Sequence, residues 1–160
     1  MIKDWIFSDE RRICRFRVAG LLLRNNHLLV QKDKSNSYAI PGGHVSFGET
    51  SENALIREFR EEIGIDIQIC RLIWVEENFW KCGKKDAHNI SFYYLVTQKD
   101  ETALSDTFVS LDNNYVTIQW VSFDDLKKIE IYPEYIKYKI TSISENIEHF
   151  SRGSVSPPVL

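Results

Sequence analysis

Gly43-His44-Val45-Ser46-Phe47-Gly48-Glu49-Thr50-Ser51-Glu52-Asn53-Ala54-Leu55-Ile56-Arg57-Glu58-Phe59-Arg60-Glu61-Glu62-Ile63-Gly64-Ile65 is the stretch that decides how this chain is read. It has the form of a glycine-rich turn, a helix and a glycine stop. The Thr50 hydroxyl can accept from a free backbone N–H of the first turn, which makes it a suitable N-cap. Gly64 stands where a left-handed residue ends a helix. Leu55, Phe59 and Ile63 recur every four residues and therefore share one face.

Glu58, Glu61 and Glu62 follow i, i+3, i+4 spacing. At about 100° per residue they fall within an arc of roughly 100°, turned away from the apolar stripe. Carboxylates so placed repel one another by a few tenths of a kcal/mol per solvated pair. A hard divalent cation relieves that repulsion, because Mg²⁺ prefers carboxylate oxygens, water and substrate phosphates. A solvated acidic helix face is the alternative for a Glu-x-x-Glu-Glu pattern taken alone.

The pattern does not stand alone. Gly43, Glu49, Arg57, Glu58, Glu61, Glu62 and Gly64 fill every fixed position of Gly-x5-Glu-x7-Arg-Glu-U-x-Glu-Glu-x-Gly-U, with Phe59 and Ile65 at the bulky apolar U positions. The stretch resembles the Nudix box, and Phe59 is bulkier than the aliphatic residue usual there. The resemblance implies an α/β (α+β) Nudix fold, an α/β/α sandwich around a mixed sheet. It also implies a Mg²⁺-dependent hydrolase, with Mn²⁺ able to substitute, that cleaves the diphosphate linkage of a nucleoside diphosphate derivative. Glu58, Glu61 and Glu62 are then the metal ligands and catalytic carboxylates, joined by a backbone carbonyl at Gly42 or Gly43. Glu49 and Arg57 hold the loop against the helix and orient those carboxylates.

Length and composition are consistent with this. The chain has 160 residues, 43% of them hydrophobic and 27% charged, with a net charge of −3. That suits one domain with its own core. It offers no basic field for general nucleic-acid or anionic-membrane binding. Cys14, Cys70 and Cys82 are odd in number and lack metal-type spacing, as expected of reduced thiols in a cytoplasmic protein. Neither a leader nor a membrane span is expected from the apolar runs. The apolar lead-in Trp5-Ile6-Phe7 is expected to pack on the body or on a partner subunit, so a homodimer is allowed.

Around the box the chain reads as strands. Ile13 to Leu23 alternates and then becomes continuously apolar, Arg24 to His27 turns, and His27 to Lys32 completes a hairpin. Arg15 and Arg17 share one side of the first strand. Either can face solvent or meet a substrate phosphate, and Arg17 lies nearer the apolar centre. Beyond the box, strands are expected over 66–76 and 88–96 around a hairpin loop. Phe79, Trp80 and His88 there are candidates to stack on a base or ribose. The run from Glu77 into His88 resembles one bacterial Nudix subgroup, in which Glu commonly stands where this chain has Asn89. Any late-loop metal ligand or general base falls among Glu77, Asp100, Glu101, Asp106 and Asp112. Ser122 is expected to cap a short helix, Pro133 to begin a helix over 133–147, and 151–160 to form a tail. The domain so read spans 1–150 with its core at about 13–126. The partner expected is a small nucleotide-type molecule. The other readings are a weakly catalytic nucleotide sensor or RNA-interacting module, and a hydrolase of inositol or isoprenoid pyrophosphates, for which Lys84-Lys85 is the one lysine pair in a candidate pocket loop.

Overall fold

In the computed structural model, which describes residues 3–154, two long strands carry the architecture. The first, β2 (Arg12–Arg24), follows a short β1 (Ile6–Ser8) and precedes β3 (His27–Lys32), β4 (Tyr38–Ala39) and β5 (Gly42–His44). Helix α1 (Ser51–Glu62) comes next, then β6 (Ile67–Cys82) and β7 (Lys85–Gln98). The chain ends through β8 (Thr107–Val109), β9 (Thr117–Ser122), α2 (Phe123–Leu126), β10 (Ile131–Tyr132), α3 (Ile136–Lys139) and β11 (Glu148–Arg152). The main strand order is β10-β4-β3-β2-β7-β6-β11, with β1 and β5 also on β2, and β8 and β9 continuing from β3. β2 runs parallel to β7 from Arg12–Asp86 to Leu22–Val96 and antiparallel to β5, so the sheet is mixed.

Local chemistry explains these elements. Asn25 and Asn26 both take positive φ, the conformation that a two-residue hairpin turn demands and that Asn tolerates. Gly83 does the same between β6 and β7. Thr50 caps α1 by accepting from the Asn53 N–H at 3.2 Å, and Ser122 caps α2 by accepting from the Asp125 N–H.

The sheet has two packed faces. Val18, Leu22, Tyr94 and Val96 meet Ala54, Leu55 and Phe59 of α1 on one side. Phe59 is fully buried, worth about 1.5–3 kcal/mol. A side chain at Gly20 would press into its ring, so the helix sits close to β2. Leu21, Trp74, Tyr93 and Leu126 gather with Ile136 and Ile140 on the other side.

Three expectations are corrected. The helix expected over 133–147 is only α3, four residues long; the following chain extends as β11, parallel to β6 from Glu148–Trp74 to Arg152–Asn78. Its apolar residues dock by burial rather than by helical periodicity. Ser151 and Arg152 therefore belong to the sheet, whereas residues 155–160 of the expected tail lie outside the described residues. The polar stretch 98–114 is not a plain loop, since Thr107–Val109 pairs with β9. The lead-in lies on the body: β1 pairs with β2 and Trp5 packs edge-on against Phe16 at 5.6 Å. Trp5 and Phe7 nevertheless stay more than half exposed.

Candidate active site

Helix α1 reaches the sheet edge at β5, and the close approach there requires glycine. A Cβ on Gly43 would collide with the Glu58 carboxyl group, and one on Gly42 with the Val18 carbonyl. The expected backbone ligand, Gly43, thus lies directly against an expected carboxylate ligand.

Arg57 organises the helix face. Its Nη2 donates to Glu49 Oε1 at 2.7 Å and to the His44 carbonyl at 3.1 Å, and its Nε reaches Glu49 Oε2 at 3.3 Å. Its Nη1 donates to Glu58 Oε1 at 2.8 Å and Glu61 Oε2 at 3.2 Å. One planar guanidinium therefore joins the loop to two of the three glutamates, a use for which lysine has no equivalent geometry. Glu49 also accepts from the Ser46 N–H at 2.8 Å, which closes the loop before the helix. The hydrogen bond from Arg57 holds the Glu49 carboxyl below its ordinary range.

Glu62 is the electrostatic centre. Burial, then Glu58 and Asp112, raise its pKa to about 8, against the pull of Arg17 and the Gly42 amide. Its Oε2 is buried with no hydrogen-bond partner. Burial also raises Glu58, although Arg57 opposes this. Glu61 is about half exposed. Two desolvated carboxyls beside a third make an all-oxygen, electron-rich set, which suits a hard divalent cation. Among the described residues no three His, Cys, Asp or Glu side chains already converge in ligating geometry. The donor chemistry fits Mg²⁺, and convergence would need side-chain rotation.

The late acids separate cleanly. Asp112 is the one whose charge is felt by both Glu58 and Glu62. It is placed by a docked loop: the Leu111 N–H donates to the Glu62 carbonyl at 2.9 Å, and the Ser110 hydroxyl donates to Asp112 Oδ1 at 2.7 Å. Asp100 instead accepts from the Asp66 N–H, and Asp106 pairs with Arg24. Glu77 pairs with His88 and His149. Glu101 is exposed.

The two early arginines also part. Arg17 lines a cavity of about 160 Å³ and stands near enough to Glu62 to lower its pKa. Arg15 lies over the Trp80 ring, 5.8 Å from its centroid. Phe79 and His88 pack on each other at 4.2 Å. None of Phe79, Trp80 and His88 lines the cavity beside the carboxylates. Its walls are Val18, Ala19, Gln31, Ala39, Asn89, Ser91, Tyr93 and Tyr132 with Arg17 and Ile40. Sequence reading missed most of these. The one local signal was the polar pair Asn89 and Ser91 at period two inside an aromatic strand.

The NUDIX domain family model matches residues 15–139. The chain belongs to the Nudix family. The RNA pyrophosphohydrolase of Nitratiruptor sp. is 30% identical over 132 residues, 73% of this chain and 83% of that protein. The ADP-ribose pyrophosphatase of Methanocaldococcus jannaschii is 39% identical over 62 residues, 36% of this chain and 37% of that protein. The 8-oxo-dGTP diphosphatase of Proteus vulgaris is 40% identical over 62 residues, 38% of this chain and 51% of that protein. These last two matches thus span about a third and a half of the relatives' own lengths. Among solved structures, the Mutator MutT protein of Bacillus halodurans superposes with a TM-score of 0.65 at 14% identity, covering 86% of this chain and 89% of that one. In this Nudix chain, no helix among the described residues is long and apolar enough to cross a membrane.

Proposed function

We propose that this Nudix protein is a pyrophosphohydrolase that uses a divalent cation, Mg²⁺ by preference, to cleave the diphosphate linkage of a nucleoside diphosphate derivative. The observation that carries the reading is Glu62, a half-buried carboxyl with one oxygen buried and unpartnered, under the charges of Glu58, Asp112 and Arg17. Such a group gains most from a cation that replaces its lost hydration. The named relatives, an ADP-ribose pyrophosphatase, an 8-oxo-dGTP diphosphatase and an RNA pyrophosphohydrolase, support the same bond type.

The roles follow from position. Glu58, Glu61 and Glu62, with the Gly43 carbonyl, would hold the cation. Bound there, a divalent ion supplies charge neutralisation for the phosphates and a lowered pKa for water. Arg57 and Glu49 hold the loop against the helix, so that the rotation needed to converge on the cation is confined to the glutamate side chains. Arg17 meets a phosphate oxygen at the cavity mouth and orients the diphosphate toward the glutamates. In this reading Asp112 would accept a proton from the attacking water, supported by its charge reaching both Glu58 and Glu62 from outside the helix.

The test is product release from a panel of nucleoside diphosphate derivatives with Mg²⁺ or Mn²⁺, run beside Glu62→Gln. Cation-dependent cleavage that is lost in Glu62→Gln supports the proposal. Wild-type turnover in Glu62→Gln would remove it.

A further inference from the structure

The cavity beside the carboxylates is nearly free of formal charge. Arg17 stands at the end next to Glu62, and the remaining lining is neutral. Its volume of about 160 Å³ is well under the roughly 300–1,000 Å³ of pockets that enclose a drug-sized ligand. It has room for one ring system and not for a whole nucleotide. It opens where β3 and β4 part from β2: β3 pairs with β2 only at Leu23–Leu28 and Arg24–His27, while Arg17 to Ala19 pair with β5.

One polar group in its wall is costly where it stands. Asn89 is 8% exposed and its Oδ1 has no partner. Ser91, on the same side of β7, is 6% exposed. An unsatisfied buried polar group is destabilising. The cost is recovered if a ligand completes the hydrogen bonds. Opposite β7, Tyr132 neighbours Ala39 through the β10–β4 pairing, and its hydroxyl donates to Glu76 Oε1. Glu76 is fully buried, and burial raises its pKa. Tyr132 is therefore a fixed wall, with its hydroxyl already spent on Glu76.

We infer that this cavity reads the edge of a neutral heterocyclic base, with Asn89 as the specificity-determining residue, Ser91 and Gln31 as secondary contacts, and Tyr132 as the wall that Glu76 holds in place. A carboxamide offers a donor and an acceptor side by side. That pattern complements a planar ring edge with an adjacent acceptor and donor, and a bidentate pair of this kind discriminates between bases. A second phosphate is a poor occupant, because Arg17 is the single cation of the lining and already faces Glu62. The orientation rests on the pyrophosphohydrolase reading, which places the diphosphate between the base and the helix carboxylates.

Two measurements test it. The first is calorimetric binding of the four ribonucleoside 5′-monophosphates without divalent ion, to wild type, Asn89→Leu and Asn89→Asp. The second is kcat and KM for the matching diphosphate derivatives with Mg²⁺. Wild type is expected to prefer one base roughly 10-fold or more. Asn89→Leu should lose that preference through KM, with kcat retained, and Asn89→Asp should change the rank order of bases. If Asn89→Leu does not fold, Ser91→Ala should weaken the preferred base selectively. Equal affinity for all four bases in wild type, or an unchanged preference in folded Asn89→Leu, overturns the inference. Selective binding without hydrolysis would uphold the base reader and remove the pyrophosphohydrolase reading. Hydrolysis without base preference would do the reverse.

Discussion

The carboxylate end of α1 and the cavity beside it are neighbours built on opposite terms. The first is crowded with charge, and most of its side chains are engaged: Arg57 alone joins Glu49, Glu58, Glu61 and the His44 carbonyl. The second is nearly neutral, and Asn89 in its wall has an unmet hydrogen-bonding atom. Arg17 lies on the border between them. No ion pair holds it among the described residues, and it is felt by Glu62 only through its charge. Diphosphate chemistry needs fixed charges set close together. Recognition of an unchanging ring needs complementary donors and acceptors, and these are useful only while nothing in the protein satisfies them first.

The largest expected effect lies at the charged end. Glu62→Gln should lower turnover by at least ~10²-fold, because it removes a ligand charge. Metal-free Glu62→Gln should melt no lower than wild type above pH 8, because there it removes a charge from a desolvated position. Turnover and thermal melting measured on one preparation check both halves.

Arg57→Ala should reduce turnover by roughly 10–100-fold and also lower the melting temperature, since Glu49 and Glu58 lose their partner. Unchanged melting together with unchanged turnover would break the view that this end is already saturated. Arg17→Ala sharpens the contrast: KM for a diphosphate substrate should rise about 10-fold while thermal melting falls far less than in Arg57→Ala, because Arg17 makes no hydrogen bond or ion pair among the described residues. A drop in melting temperature as large as that of Arg57→Ala would erase the distinction between the two arginines.

The smallest expected effect concerns pH and Glu76. Burial raises its pKa in the folded chain above the unfolded value. The folded state therefore binds this proton more tightly, and the associated stability is full below the ordinary glutamate pKa and lost as pH rises through the folded value. Melting of the protein from pH 4 upward should show that loss, and Glu76→Gln should reduce the slope by its share, leaving the part due to Glu58 and Glu62. A wild-type slope in Glu76→Gln would assign the pH dependence to other groups.

How much of this was legible in the sequence depended on distance along the chain. Glu58, Glu61 and Glu62 lie on one helix, so spacing alone predicted that they share a face, and the bracing by Glu49 and Arg57 was what the resemblance to the Nudix box implied. The β2–β3 hairpin, the α1 caps and the two-faced alternation of β2 are equally local. The terminal segment was misread because a few isoleucines at roughly helical spacing cannot distinguish a helix from an irregular stretch, and burial against β6 made its end a strand. Asp112 could not be chosen from its acidic neighbours, since its selection depends on Leu111 docking on the Glu62 carbonyl. Phe79, Trp80 and His88 looked like stacking candidates by composition, but pairing puts Phe79 against His88 and Trp80 beneath Arg15.

The sequence by itself determined the Nudix helix and its three carboxylates, because helical geometry converts spacing directly into proximity, while the arginine and glutamate that brace them were implied by the resemblance to the Nudix box. Only the tertiary structure decided what surrounds them. Arg17, Gln31, Asn89, Ser91 and Tyr132 come from four strands and meet through sheet order and register. A shift of one residue in any of those pairings would turn the same side chains to the opposite face.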